Sequence, residues 1–336
     1  MFKSKKIFSL VIALLFALVF ISSFSAGVLA AEDDYTIVTV VKHSGSAWFE
    51  RMKVGVNEFA EETGLDAYQL GPSSADVALQ VEMIENLIAQ EVDAICVVPN
   101  AVEGLEPVLK KAREAGIVVI SHEGTGLENV DYDVEAFSNE AYGAHFIDLL
   151  AERMDEQGKY VPFVGSLTSR THNIWVDSAI KKQEKEYPEM ELATERVSSE
   201  EDQSVAYRKT KELLRTYPEL KGIIGSASID VPGAGQALEE LGLEDEVTVV
   251  GTSVVSVAGP YLKTGAIDVI SFWDPKLAGY VMNKVAVEVL EGNKIEQGHD
   301  FGVEGYENVN VHPDEKLIEG EAWIDVTKEN MDQYNF

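Results

Sequence analysis

The 336 residues carry 58 acidic against 27 basic side chains, a formal net charge of −31. Such a surface repels nucleic-acid phosphates and anionic lipid headgroups, which excludes both as partners; it is compatible with a salt-rich habitat. The one cysteine, Cys96, cannot form an internal disulfide, and its apolar run Ala94-Ile95-Cys96-Val97-Val98 suits a small core residue better than a nucleophile.

The chain opens with Lys3, Lys5 and Lys6, an apolar run over residues 7–21 and the small-residue end Val28-Leu29-Ala30. This pattern predicts a secretory signal peptide over residues 1–30, cut after Ala30. Ser22-Ser23 follow the apolar run in place of a basic stop-transfer cluster, and no cysteine stands at the cut to carry a lipid. No later stretch is long and apolar enough to span a bilayer. The expected product is exported, soluble and not inserted in a membrane, which suits the periplasm of a two-membrane bacterium. Cleavage removes three lysines and no acid, leaving a net charge of about −34 on about 300 residues, a length that suggests two domains.

Ile37-Val38-Thr39-Val40-Val41 reads as a strand buried on both faces. It runs through the polar loop Lys42-His43-Ser44-Gly45-Ser46-Ala47 into a helix with Phe49, Met52, Val56 and Phe59 on one side. A loop at the carboxyl end of a parallel strand is where open α/β sheets bind ligands. A snorkelling lysine and two core aromatics would give the same residues, so the rest of the chain has to decide.

Strands follow at 66–70, 93–99 and 117–120, separated by helical periodicity over 76–89 and 105–112. The alternation restarts with a helix over 142–154, a strand over 160–165, a loop over 166–173 and a helix over 174–185. A strand at 191–197, a helix at 204–216, strands at 222–225, 247–251 and 267–271, and helices at 234–241 and 277–290 complete a second half. Strict alternation predicts two doubly wound parallel sheets with right-handed crossovers. The tail over 301–336 alternates weakly and reads as edge strands with a C-terminal wrap.

The loops after these strands collect Lys42, Trp48 and Phe49; Asn100; His122 and Glu123; Thr171, His172 and Asn173; Ser226, Ser228 and Asp230; Thr252 and Ser253; and Trp273. Hydrogen-bonding groups and aromatic faces at the strand ends of two facing sheets are what a closing cleft needs for a polyhydroxylated ligand. Asp230 and Asp274 also fit as helix caps, and Asp274 before Pro275 is left out of the site on that ground. No histidine pair has metal-ligand spacing, and neither a nucleophile elbow nor a phosphate-gripping loop is present, so no metal, cofactor or catalytic residue is expected.

Several stretches, in this order and spacing, resemble the sugar-binding proteins of ABC importers, the ribose-binding-like group. They are Val41-Lys42 with Trp48-Phe49, Gln90 to Ile95, Ala115 to Ile120, His172 to Val176, Leu220 to Ile224, Val249-Val250-Gly251 and Phe272-Trp273-Asp274-Pro275. Within that group the chain is similar to the rhamnose-binding and autoinducer-2-binding branch. The resemblance implies the type I periplasmic-binding-protein fold: two doubly wound lobes joined by three crossovers. It implies an N-terminal lobe of residues 31–137 plus 275–305 and a C-terminal lobe of 138–274 plus 306–336. The crossovers would lie near Phe137-Ser138-Asn139, after Trp273 and near Gly305.

By the same resemblance Lys42 matches the ligand-holding lysine of the autoinducer-2 binders. Glu123 stands for an aspartate, Thr171 and His172 for an Asp-Gln pair, and Ser226 and Ser228 for a proline and an alanine. Asn173 matches an asparagine of the rhamnose binders. The departures keep polar character, which implies a retained pocket for a different sugar-like ligand. The expected site is Lys42, Trp48, Phe49, Glu123, Thr171, His172, Asn173, Ser226, Ser228 and Trp273. The expected protein is no enzyme: it acts as a monomer, captures a monosaccharide (rhamnose-like, pentose or hexose) and delivers it to an ABC permease. Autoinducer-2-like signal binding, or presentation of a sugar to a chemoreceptor, would use the same cleft. A repressor's effector domain is set aside by the export signal and the lack of a basic helix-turn-helix, while a sugar-modifying enzyme would show turnover.

Overall fold

The structure, a computed structural model, describes residues 35–336; the expected signal peptide lies outside them. The first half runs β1 (Thr36–Val40), α1 (Ala47–Thr63), β2 (Asp66–Leu70), α2 (Val77–Ala89), β3 (Ala94–Val97), α3 (Val102–Glu114), β4 (Val118–Ser121) and β5 (Tyr132–Glu135). The second runs α4 (Asn139–Arg153), β6 (Gln157–Val164), α5 (Arg170–Glu186), β7 (Glu189–Leu192), β8 (Val197–Ser198), α6 (Gln203–Thr216) and β9 (Leu220–Gly225). It continues with α7 (Asp230–Leu241), β10 (Thr248–Thr252), α8 (Val255–Thr264), β11 (Val269–Phe272) and α9 (Pro275–Leu290). Three short strands end the chain: β12 (Asn310–His312), β13 (Leu317–Glu319) and β14 (Ile324–Val326).

The strands form two sheets, in the orders β12-β13-β5-β4-β3-β1-β2 and β14-β11-β10-β9-β6-β7, with β8 also beside β6. All pairs are parallel except β12 with β13 and β11 with β14. The two-lobed, mostly parallel α/β architecture expected from the alternation is therefore present. In the first sheet the order reverses direction at β1, and in the second at β6. Loops at such switch points splay apart and leave a crevice.

Alternate residues of β1 face opposite cores: Val38 and Val40 pack with Ile84, Leu87, Leu105 and Leu109, while Ile37 joins the cluster of Met52, Val56 and Phe59. Cys96 is fully buried and its thiol is pushed up to about 12 by that burial. Helices α1 and α9 pack closely because Gly55 lets them: a Cβ there would lie 1.8 Å from the Lys276 carbonyl oxygen.

The chain passes between the sheets at 136–138, at 273–274 and at 320–323. The last differs from the crossover expected near Gly305. Residues 310–319, expected with the second lobe, pair into the first sheet, where β13 lies beside β5 with Ile318 fully buried. Their pattern is mostly polar and carries no mark of which sheet they extend. Gly305 lies against the true crossing, its carbonyl oxygen accepting from the Glu321 N–H at 2.8 Å. Strand β5 was also not expected, because Asp133 and Glu135 break any apolar run although both are buried. The single strand expected over 191–197 is two short ones, β7 and β8, each pairing with β6.

The first two crossings are packed with aromatic rings. Phe137 stacks on Tyr142 with centroids 4.0 Å apart, and Trp273 meets Phe137 edge-on at 5.2 Å.

Candidate functional site

A cavity of about 30 Å³ lies where the two switch-point crevices face each other. Lys42, Trp48, Phe49 and Glu123 line it from the first lobe, His172, Ser226 and Ser228 from the second, and Trp273 from the second crossover. The volume suits one or two waters. A sugar ring enters only if the lobes part or side chains swing aside.

On the first-lobe wall, Ser46 caps α1 by accepting the Phe49 N–H at 3.3 Å. That cap fixes the helix start so that Trp48 and Phe49, both 5 % exposed, face the cavity. Lys42, extending β1, is 4 % exposed and donates to Glu123 Oε2 at 2.5 Å. Burial works against the lysine's charge, but Glu123, with Glu201 and Glu135 behind it, holds the ammonium above its ordinary value. Burial likewise works against the Glu123 carboxylate, and the Lys42 ammonium, first among its neighbours, holds it below the usual range. Both groups are therefore charged and form a buried ion pair. Glu123 sits at φ 55, a left-handed conformation that costs a non-glycine residue on the order of 1–2 kcal/mol.

His122 is structural. Its Nδ1 lies 2.6 Å from the Val134 carbonyl oxygen and its Nε2 3.1 Å from Trp273 Nε1. Both bonds form only if Nδ1 carries the proton and donates, while Nε2 accepts from the indole. This fixes Trp273, whose ring lies edge-on to Trp48 with centroids 4.7 Å apart. Behind this wall Asp133 and Glu135 are both raised, by burial first, and Glu135 also by its acidic neighbours. Thr125 Oγ1 donates to Glu135 at 2.9 Å and accepts from Asn139 at 3.1 Å, and Asn139 accepts from the Trp175 indole at 2.6 Å.

On the second-lobe wall, His172 Nδ1 accepts the Gly165 N–H at 3.2 Å, which leaves Nε2 as the ring's donor. Burial, then the nearby Lys42 charge, depresses His172 to about 4, so at neutral pH it is uncharged. Asp230 Oδ2 accepts the N–H groups of Ser226 and Ala227 at 3.1 and 2.8 Å, shaping the turn that presents Ser226. Burial raises this carboxyl to about 7. Ser226 is 1 % exposed and its Oγ has no partner among the described residues; the same holds for Glu201 Oε1.

Two expected residues do not line the cavity. Helix α5 starts at Arg170, so Thr171 and Asn173 occupy its first turn and not a free loop. Thr171 Oγ1 donates to the Glu123 carbonyl oxygen at 2.9 Å, a bond across the cleft from the second lobe to the first. Asn173 is held by the Ser169 carbonyl oxygen at 2.7 Å and by Arg196 at 2.6 Å. Asp274 caps α9 and takes a two-pronged pair from Arg51 at 2.8 and 2.5 Å.

The lining also includes His43, Ser46, Trp175, Glu201, Ala227, Ile229 and Thr252. Trp175 was legible in principle, three and four positions after His172 and Thr171 on one helix face. Glu201 was not, because Ser199-Glu200-Glu201-Asp202 reads as a solvated acidic loop.

Residues 37–294 match the family profile described as a periplasmic binding protein domain. The chain is 26% identical over 223 residues to the xylitol-binding protein of Mycolicibacterium smegmatis, covering 65% of this chain and 62% of that protein, under two thirds of its length. It is 25% identical over 250 residues to the D-ribose/D-allose-binding protein of Pseudomonas aeruginosa, covering 69% of this chain and 74% of that one. LsrB from Clostridium saccharobutylicum in complex with AI-2 superposes with a TM-score of 0.84 at 22% identity, covering 90% of this chain and 100% of that one. An ABC transporter solute-binding protein from Clostridium phytofermentas with bound L-rhamnose gives 0.82 at 19% identity, covering 89% and 98%. The structural likenesses show a shared fold, and the match over residues 37–294 shows the family: this chain belongs to the periplasmic binding proteins, among relatives that bind sugars.

Proposed function

We propose that the protein captures a monosaccharide between its lobes in the periplasm and delivers it unmodified, as a monomer, to an ABC permease. The carrying observation is the convergence of two sequence-distant half-sites. Lys42 and Glu123 come from one lobe, His172 and Ser226 from the other, and the indoles of Trp48, Trp175 and Trp273 lie around them. Donors and acceptors suit sugar hydroxyls, and indole faces suit the apolar side of a ring. Relatives that bind xylitol, ribose or allose, and structural neighbours holding L-rhamnose or AI-2, support the same ligand class. The work of binding goes into closure: contacts completed only when both lobes meet the ligand shift the population toward the shape a permease recognises.

Intrinsic tryptophan fluorescence and thermal melting of residues 31–336 against a monosaccharide panel, with an autoinducer-2 source included, test this. A saturable response to one sugar, weakened in Lys42→Ala and Trp273→Ala, with the sugar recovered unchanged after denaturation, is the expected result. A response to the autoinducer source alone would favour signal binding, which the retained Lys42 and the likeness to the AI-2 complex support. Conversion of the sugar would replace capture by catalysis.

A further inference from the structure

We infer that Glu201 selects the ligand of the cleft: its buried carboxylate oxygen takes a hydrogen-bond donor from a neutral or amine-bearing polyol, and its charge bars anionic sugars. This rests on the solute-binding reading above and adds a residue and a charge rule to it.

Glu201 lines the cavity beside Lys42, His172 and Ser226. Among the described residues its Oε1 is buried with no hydrogen-bond partner, and so is Ser226 Oγ on the same wall. No ion pair reaches it among the described residues; the one lysine of the cavity lining is committed to Glu123 at 2.5 Å. A carboxylate oxygen taken from water without a partner is costly, and here the fold is arranged to keep it so. Glu200 and Glu201 both hold left-handed backbone, at φ 59 and 54, and the Glu201 N–H donates to the Gly165 carbonyl oxygen at 3.1 Å. The carboxylate fills the space left by the missing side chain of Gly165, where a Cβ would lie 2.2 Å from Oε1. Glu200 shows what an ordinary acid does in the same loop: its side chain is 69% exposed and 3.9 Å from Lys209.

The charges then set the ligand class. Lys42 is balanced by Glu123, His172 is uncharged at neutral pH, and Glu201 adds one uncompensated negative charge. A uronate or sugar phosphate would bring a further anion against it. Hydroxyls or an ammonium group supply what it lacks.

The test is thermal shift and titration of residues 31–336 with matched neutral, amino and acidic sugars. The set is galactose, galactosamine and galacturonate, the same trio of glucose, neutral pentoses, L-rhamnose, inositol and ribose 5-phosphate. Stabilisation by neutral or amino members only is expected, with affinity at least tenfold weaker in Glu201→Gln and unchanged in Glu200→Gln. Without ligand, Glu201→Gln is expected to melt at the same temperature or higher, because the amide needs no countercharge. Stabilisation by an acidic member, or equal affinity in wild type and Glu201→Gln, overturns this inference and leaves sugar binding standing. A lower melting point of ligand-free Glu201→Gln would make the residue structural and overturn it as well. Silence from every member overturns both it and the solute-binding reading.

Discussion

On the first-lobe wall of the cleft, Lys42 and Glu123 are paired at 2.5 Å and the His122 ring is bonded at both nitrogens. On the second-lobe wall, Ser226 Oγ and Glu201 Oε1 are buried with no hydrogen-bond partner among the described residues. The first wall has its charges and both His122 nitrogens paired, with Trp273 of the crossover and Thr171 of the second lobe supplying two of the bonds. The second has hydrogen-bonding capacity to spare, which a ligand can realise. Changes on the first wall are therefore expected to cost stability as well as affinity, whereas polar changes at Glu201 and Ser226 are expected to act on affinity and specificity.

The largest effect should come from breaking the finished wall. Lys42→Met leaves the Glu123 carboxylate buried without its partner, and losses of roughly 3–5 kcal/mol follow when one half of a buried pair is removed. Lys42→Met with Glu123→Met should regain most of that loss, because two apolar side chains leave no charge stranded. Urea denaturation of both variants is the measurement. A single-variant cost below about 1 kcal/mol would mean that the pair is wet in solution.

The second wall should show itself in the pH dependence. The unfolded chain takes up a proton on His172 near its ordinary value of 6.5, whereas the folded protein resists until about 4. Stability is therefore lost as pH falls from 6.5 to 4, by on the order of 3 kcal/mol at the acid end. Asp230 acts the other way. Its raised value near 7 means that its burial cost grows as pH rises from 3.8 to 7, so the wild-type curve is flattened. The difference between wild type and His172→Gln isolates the histidine, and the variant should lose less stability between pH 6.5 and 4. Equal slopes would place His172 in water.

Trp273→Phe tests whether the first wall extends through the crossover. The phenyl ring keeps much of the aromatic packing but strands His122 Nε2 as a buried acceptor, a cost of about 1–3 kcal/mol. Thermal melting should show this without ligand. Ligand affinity should fall as well, because the indole borders the cavity.

What was legible in the sequence follows the same division. Lys42 and Trp273 stand at the ends of apolar strand runs, Trp48 and Phe49 open the helix after the first of them, and a buried parallel strand announces both itself and the loop after it. Cavity-lining Ser226 follows the run Gly222-Ile223-Ile224-Gly225 for the same reason. Strand β5 escaped because its Asp133 and Glu135 are buried among partners from other strands and loops, which no local pattern records. Glu201 escaped because its inward turn depends on two left-handed residues and on space beside Gly165, thirty-six positions away in sequence. The boundary of α5 had a simpler cause. Arg170-Thr171-His172-Asn173 has the composition of a loop, and tertiary packing carried the helix through it.

That boundary supplies the smallest and most selective test. Because Thr171 lies inside the first turn of α5, its hydroxyl reaches across to the Glu123 carbonyl oxygen and touches no ligand-lining space. The bond exists only while the two lobes are together. Thr171→Val keeps the shape of the side chain and removes the donor, at about 1 kcal/mol for a neutral hydrogen bond. If the lobes open and close, that cost falls on the closed form alone. Sugar affinity should then drop about fivefold, with faster release, while each lobe's own unfolding is unmoved. Stopped-flow release kinetics with parallel denaturation curves separate the two effects. A variant that loses stability but not affinity would mean that the lobes stay together in the free protein, and that the ligand enters past moving side chains without a hinge.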